Sequence, residues 1–86
     1  MENEPIKMPI DGILDLHTFR PKEVKPLLKD YIEACIEKGI TDLRIIHGKG
    51  TGSHRELVHG QLKKHTEVAH FQLDANWGAT TVKLRH

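Results

Sequence analysis

Apolar and polar residues alternate over residues 12–17, with Leu14 and Leu16 on one side and Ile13, Asp15 and His17 on the other. A period of two predicts a first strand. From Pro21 the period lengthens. Val24, Leu27, Leu28, Tyr31, Cys35 and Ile36 recur at helical spacing, with Lys22, Lys29, Asp30, Glu33, Glu37 and Lys38 elsewhere. Pro21 suits the first helical position and Gly39 is the stop. Pro26 conflicts with this, lying too deep for a free first turn, so the helix either kinks there or begins in regular form near Lys25. Residues 42–46 read as a second strand. Ser53-His54-Arg55-Glu56 has capping-box spacing, which predicts a second helix starting at Ser53 with Leu57, Val58 and Leu62 as its apolar stripe. Residues 68–74 alternate again, Ala69, Phe71 and Leu73 against Val68, His70 and Gln72. A turn over 74–78 follows. Residues 80–85 then set Thr80, Val82 and Leu84 against Thr81, Lys83 and Arg85.

The predicted order is β-α-β-α-β-β, an α/β chain of the two-layer α+β kind. Right-handed crossovers place both helices on one face of the sheet. The other face is then open. By the alternation it should carry Asp15, His17, Arg44, His70, Gln72, Lys83 and Arg85. Residues 1–11, with two prolines and no period, read as a loose arm, and residues 12–86 as one domain.

Composition narrows the class without naming a function. With 86 residues there is room for one small domain. A net charge of +1 does not announce a nucleic-acid binder, but its distribution is uneven. Residues 44–64 carry Arg44, Lys49, Arg55, Lys63 and Lys64 against Glu56 alone, so the basic character gathers around the middle of the chain. One cysteine, Cys35, excludes an internal disulfide and fits a reducing, cytoplasmic compartment. No segment reaches the ~20 apolar residues of a membrane span, and the acidic start is no signal peptide.

The candidate chemistry lies between the second strand and the second helix. Ile45-Ile46 runs into His47-Gly48-Lys49-Gly50-Thr51-Gly52, and Ser53 opens the helix. Strand, glycine loop and helix N-terminus form a cradle for an anion: loop N–H groups and the helix dipole converge on one point. The loop is neither a Walker A loop nor a dinucleotide-binding fingerprint, because Gly48, Gly50 and Gly52 have the wrong spacing, so no nucleotide cofactor is expected. His17 and His47 end parallel neighbouring strands. Both should therefore reach the carboxyl edge of the sheet, where ligand crevices of open α/β sheets form. Asp15 shares a face with His17 and can set its tautomer. The remaining histidines build no metal site, since His54 and His59 lack i,i+3 or i,i+4 spacing. Cys35 reads as core and Ser53 as a cap, and Trp77 is either a lid over the core edge, the preferred reading, or a base-stacking platform.

At these residues the sequence resembles a known family. Ile13-Leu14-Asp15-Leu16-His17 is similar to the leucine-aspartate-leucine-histidine motif of the small MutS-related (Smr) domain. Ile46-His47-Gly48-Lys49-Gly50-Thr51-Gly52 matches its histidine-glycine-x-glycine motif, and Trp77-Gly78-Ala79-Thr80-Thr81-Val82-Lys83-Leu84 resembles its closing strand. The likeness covers about residues 12–85 and looks like a stand-alone member. It implies a mixed four-stranded sheet and nucleic-acid binding. In several members it also implies endonuclease activity, the nicking of branched DNA or the cleavage of RNA, and with it a role in DNA repair. The carry-over falls on Asp15 and His17 in the first motif and on His47, Gly48, Lys49 and Gly50 in the second. Two positions depart from the pattern: Thr18 stands where a glycine is usual, and Asn76-Trp77 replaces a glycine pair.

Phosphodiester cleavage needs an activated nucleophile, a protonated leaving oxygen and stabilised charge on phosphorus. Asp15, His17 and His47 are the candidate catalytic residues, with the two histidines as base and acid. Gly48, Lys49, Gly50, Thr51 and Gly52 would hold the phosphate, and Arg44, Arg55, Lys83 and Arg85 would contact the nucleic acid. RNA brings its own 2′-hydroxyl nucleophile. Attack by water on DNA usually takes metal help, which leaves Mg2+ or Mn2+ as an open cofactor question. The alternative is a non-catalytic module that binds DNA or RNA through the same residues. Oligomeric state is not read from the sequence.

Overall fold

A computed structural model describes residues 10–48, 52–75 and 78–85. Six elements follow in chain order: β1 (Ile13–Asp15), α1 (Pro21–Lys38), β2 (Asp42–Ile46), α2 (Ser53–Lys64), β3 (Val68–Leu73) and β4 (Ala79–Leu84). The sheet runs β1-β2-β4-β3. β1 is parallel to β2, and β4 is antiparallel to both of its neighbours, β2 and β3. The sheet is therefore mixed and four-stranded, as the resemblance implied. β4, last in the chain, is inserted between the two parallel strands that α2 connects.

One core joins the helices to the sheet. Leu14 and Leu16, Leu43 and Ile45, and Val82 and Leu84 meet Val24, Leu28, Tyr31, Ile32 and Cys35 of α1, and Val58 and Leu62 of α2. Both helices thus lie on one face, the side the alternation marked as apolar. Cys35 is a buried free thiol. The Tyr31 hydroxyl accepts the Gly12 N–H at 2.9 Å and donates to the Ile13 carbonyl at 3.1 Å, tying α1 to the start of β1. Ile10 packs on the core, and the Asp11 carboxylate accepts the Ile13 N–H, so chain order extends into the expected arm. Residues 1–9 lie outside the described residues.

Several expectations are corrected. α1 runs from Pro21 without a late start near Lys25. Pro26 is exposed, so the Lys22 carbonyl that loses its helical partner faces water. The apolar stripe includes Ile32, wholly buried, and leaves out Ile36, which is 41% exposed. Ile36 lies about 100° round the helix from the stripe's centre, beyond the buried arc. Val68 was placed on the polar side and is buried. A bulge between Val68 and His70 shifts the register there and turns Ala69 outward. α2 begins at Ser53 as expected, but its cap is Gly52 in the left-handed region (φ 90°), whose carbonyl accepts the Glu56 N–H. Ser53 is the first helical residue, not the cap.

Candidate functional site

Strand register decides what meets at the carboxyl edge. Asp15 pairs with Ile46, and the Leu16 N–H donates to the Ile46 carbonyl at 2.7 Å. Continued by two residues, that register sets His17 opposite Gly48. A Cβ built on Gly48 would lie 3.2 Å from the Cβ of His17, and Gly48 has a φ of 88°. Both facts favour glycine here: the conformation is costly for other residues and the gap is tight. The first motif and the glycine loop are therefore in contact.

The two histidines reach the same edge but not the same face. Alternation from Ile13 and Asp15 carries His17 onto the open side, where its side chain is 53% exposed. Alternation from Leu43 and Ile45 carries His47 inward, where it is 4% exposed.

His17 forms an oriented pair with Asp15. Its Nδ1 is hydrogen-bonded to Asp15 Oδ1, and its backbone N–H donates to the same oxygen at 3.1 Å. Burial pushes the Asp15 carboxyl up, but the hydrogen bonds and charge from His17 outweigh this and hold it below its ordinary value. An ionised carboxylate accepts only, so Nδ1 carries the proton. His17 Nε2 then has no partner among the described residues. An exposed pair of this kind adds only ~0–1 kcal/mol of stability. Its main effect is to fix which nitrogen faces out.

His47 is closed in. Its Nδ1 donates to the Gly48 carbonyl at 3.2 Å, and its Nε2 is 2.8 Å from Thr80 Oγ1. The wholly buried Thr80 hydroxyl is also 2.7 Å from Nε2 of His59, on α2. The His59 ring stands edge-on to His47 at 6.0 Å and tilts against Phe71 at 4.9 Å. Burial pushes the pKa of both rings down. Arg55 and His54 add to this for His47, and His47, Arg55 and Lys63 for His59, while the Gly48 hydrogen bond works the other way on His47. The backbone at the edge is also committed. The His47 and Gly48 N–H groups both donate to the Gly78 carbonyl, at 3.0 and 2.9 Å. The Gly48 N–H is thus a sheet bond rather than a donor to an anion.

These two histidines make stability pH-dependent. A folded-state pKa below 6.5 means the unfolded chain binds more protons as pH falls through that region. The stabilisation is complete above the ordinary value of ~6.5 and is lost as pH drops through the folded pKa values. Urea midpoints should hold steady at mildly alkaline pH and fall through the weakly acid range. His59→Phe should flatten that fall. An unchanged slope in the variant would count against His59 as a source. The depressed Asp15 carboxyl acts separately, below 3.8.

The other expected residues divide. Gly52 and Arg55 belong to the edge: the Arg55 guanidinium lies 2.8 Å from where a Gly52 Cβ would stand. Arg44 sits on the open face, bound to Asp74 at 2.6 Å. Lys83 is hydrogen-bonded to Asp42. Ile46 pairs with Ala79 and Asp42 with Lys83, so Lys83 is at the opposite edge of the sheet, about 13 Å along β2 at ~3.3 Å per residue. Arg85 follows it there and donates to the Thr66 carbonyl. His70 and Gln72 are exposed on the open face. Lys49, Gly50, Thr51 and Trp77 lie outside the described residues.

Sequence reasoning passed over three residues at this edge. His59 and Thr80 hold His47, and His54 donates from Nε2 to the Phe19 carbonyl, strapping the first turn of α2 to the loop after β1. A signal for Thr80 was present, since alternation put it inward, where a hydroxyl needs a partner. Among the described residues no group of three or more His, Cys, Asp and Glu side chains converges as a metal site. Asp15 is already engaged by His17, so these side chains form no cage for a divalent ion.

The fold and this edge define a small two-layer α+β domain with an Asp–His pair set against a histidine–glycine loop. The chain belongs to the Smr domain family, whose model matches residues 14–85. It is 38% identical over 74 residues to "Endonuclease MutS2" of Gemmatimonas aurantiaca, covering 86% of this chain and 8% of that protein. It is 34% identical over 76 residues to "Endonuclease MutS2" of Staphylococcus carnosus, covering 84% of this chain and 10% of that one. The chain thus spans about a tenth of the length of these relatives. The Smr domain of Thermus thermophilus MutS2 superposes with a TM-score of 0.81 at 28% identity, covering 88% of this chain and all of that one. YdaL, a stand-alone small MutS-related protein from Escherichia coli, shares the fold, with a TM-score of 0.82 at 24% identity over 87% of this chain and 65% of that one. Among the described residues no helix is long and apolar enough to cross a membrane.

Proposed function

We propose that this domain binds a phosphate of a nucleic acid at its glycine loop and cleaves the adjacent phosphodiester, with Asp15 and His17 as the proton-transfer pair. The observation that carries this reading is the orientation of His17. Its Nδ1 is held by Asp15, its Cβ lies beside Gly48, and its half-exposed ring leaves Nε2 without a partner among the described residues. In an Asp-oriented imidazole, Nε2 is the basic nitrogen. Nε2 takes the proton of the attacking hydroxyl as the new O–P bond forms. The old P–O bond breaks, and the leaving oxygen takes a proton from water at the open rim. With the Gly48 N–H committed to Gly78, phosphate contacts fall to Lys49, Gly50, Thr51 and Gly52, with Arg55 adding positive field. His47 builds the loop from beneath. The relatives' name, endonuclease, supports the reading.

RNA is the favoured substrate, because its 2′-hydroxyl supplies the nucleophile without a metal. The test incubates the protein with a branched DNA and a structured RNA, with EDTA or with Mg2+ or Mn2+, and analyses the product ends. The expected result is EDTA-resistant RNA cleavage leaving 2′,3′-cyclic phosphate. If neither substrate is cut under any of these conditions, the enzyme reading fails. A second reading, a binding module without turnover, draws on the closed environment of His47, which has both ring nitrogens engaged within the protein. That reading predicts affinity that falls steeply with salt.

A further inference from the structure

The hydrogen bonds beneath the glycine loop have a direction that their chemistry fixes. A carbonyl oxygen only accepts, so the bond to Gly48 O places a proton on His47 Nδ1. In a neutral ring that leaves Nε2 with a lone pair. The Thr80 hydroxyl, 2.8 Å away, must then donate to it. A hydroxyl that donates its one proton to His47 can only accept from His59, so His59 carries its proton on Nε2, 2.7 Å from Thr80 Oγ1. The chain of donors reads His59 Nε2–H, Thr80 O–H, His47 Nδ1–H, Gly48 carbonyl. Each step is satisfied only in this order. Thr80 is fully buried and His47 nearly so, so a reversed step would strand a polar group away from water.

We propose that Thr80 and His59 are positioning residues of the glycine loop: they hold His47 in its Nδ1–H tautomer, and His47 holds the Gly48 carbonyl inward. This rests on the reading that the loop receives a phosphate. A carbonyl oxygen turned toward an anion repels it, whereas one bound to a buried ring does not. The groups around the two rings favour the same state. Arg55 and His54 of α2 act on His47 from one side, and His47, Arg55 and Lys63 act on His59. Added positive charge there favours neutral rings, and the ordered chain needs neutral rings.

The test has one arm without activity and one with it. Two-bond 1H–15N spectra of histidine-labelled protein, about one unit above the ordinary pKa of ~6.5, should show His47 protonated on Nδ1 and His59 on Nε2. His47 protonated on Nε2 in the wild-type protein overturns the proposal, whether or not the protein cleaves anything. Thr80→Val should shift the His47 Nε2 resonance and weaken binding of a structured RNA hairpin by about 10-fold, the scale of one unsatisfied buried group. Thr80→Ser should restore both. If Thr80→Val does not fold, His59→Phe keeps a ring against Phe71 and removes the Nε2–H that orients Thr80; a smaller shift of the His47 resonance and weaker RNA binding are expected. Variants that leave the His47 resonances and RNA affinity at wild-type values overturn the proposal. A wild-type protein that binds RNA with the ordered tautomers but never cuts it would sink the nuclease reading alone.

Discussion

His17→Ala should lower the proposed RNA cleavage by about 10²–10⁴-fold, the range a positioned proton-transfer group contributes, while affinity for the same RNA is retained. His17 is expected to matter so much because of where its nitrogens point. Nδ1 is held by the Asp15 carboxylate, which leaves Nε2 as the nitrogen without a partner among the described residues, on a half-exposed side chain whose Cβ lies beside Gly48. The pair is exposed, so its removal should leave the denaturation midpoint nearly unchanged. Asp15→Asn should also slow cleavage, because a neutral amide can hold the ring in either tautomer. The readout is single-turnover cleavage together with binding by anisotropy. A His17→Ala protein that cuts at the wild-type rate would remove the pair from the chemistry and return the question to His47.

Leu16→Ala should cost about 2–5 kcal/mol, the range for removing a buried leucine. At ~0.05–0.15 kcal/mol per residue a domain of this length has about 4–13 kcal/mol to lose. Leu16 is wholly buried between two exposed neighbours, Asp15 and His17. Its burial fixes the end of β1 and thereby turns those neighbours outward. The variant should therefore unfold at much lower urea, and the fraction that remains folded should hold the pair less firmly. A shift in midpoint below ~1 kcal/mol would mean that the site collapses around the missing side chain.

How far the sequence spoke for the structure differs from residue to residue. Alternation was enough for β1, because Leu14 and Leu16 had no other place to go, and with them went the outward direction of Asp15 and His17. The same rule, carried on from Leu43 and Ile45, would also have pointed His47 inward, a step the sequence reading did not take. Its position at a strand end before a glycine loop drew attention to the edge and away from the face. Thr80 was legible as an inward position but not as a partner, since its bonds run to His47 and His59, 33 and 21 residues away. Those contacts exist only because β4 lies between β2 and β3, and nothing local in the chain encodes strand order. The bulge before His70 is likewise a property of pairing with β4. The cations of the open face were read correctly as to side. Their pairing with Asp74 and Asp42 depends on neighbours that only the folded sheet supplies.

The place of β4 also sets a sequence of assembly. β1, α1 and β2 can form one parallel unit early, but β3 has no strand to join until β4 has been made and has entered the gap. Contacts of such long range form late. A nascent chain emerging from its N-terminus therefore carries the Asp15–His17 pair and the glycine loop well before it carries Thr80 or the Gly78 carbonyl that accepts from His47 and Gly48. The proposed phosphate site is complete only when the sheet closes, so a half-made domain does not present it.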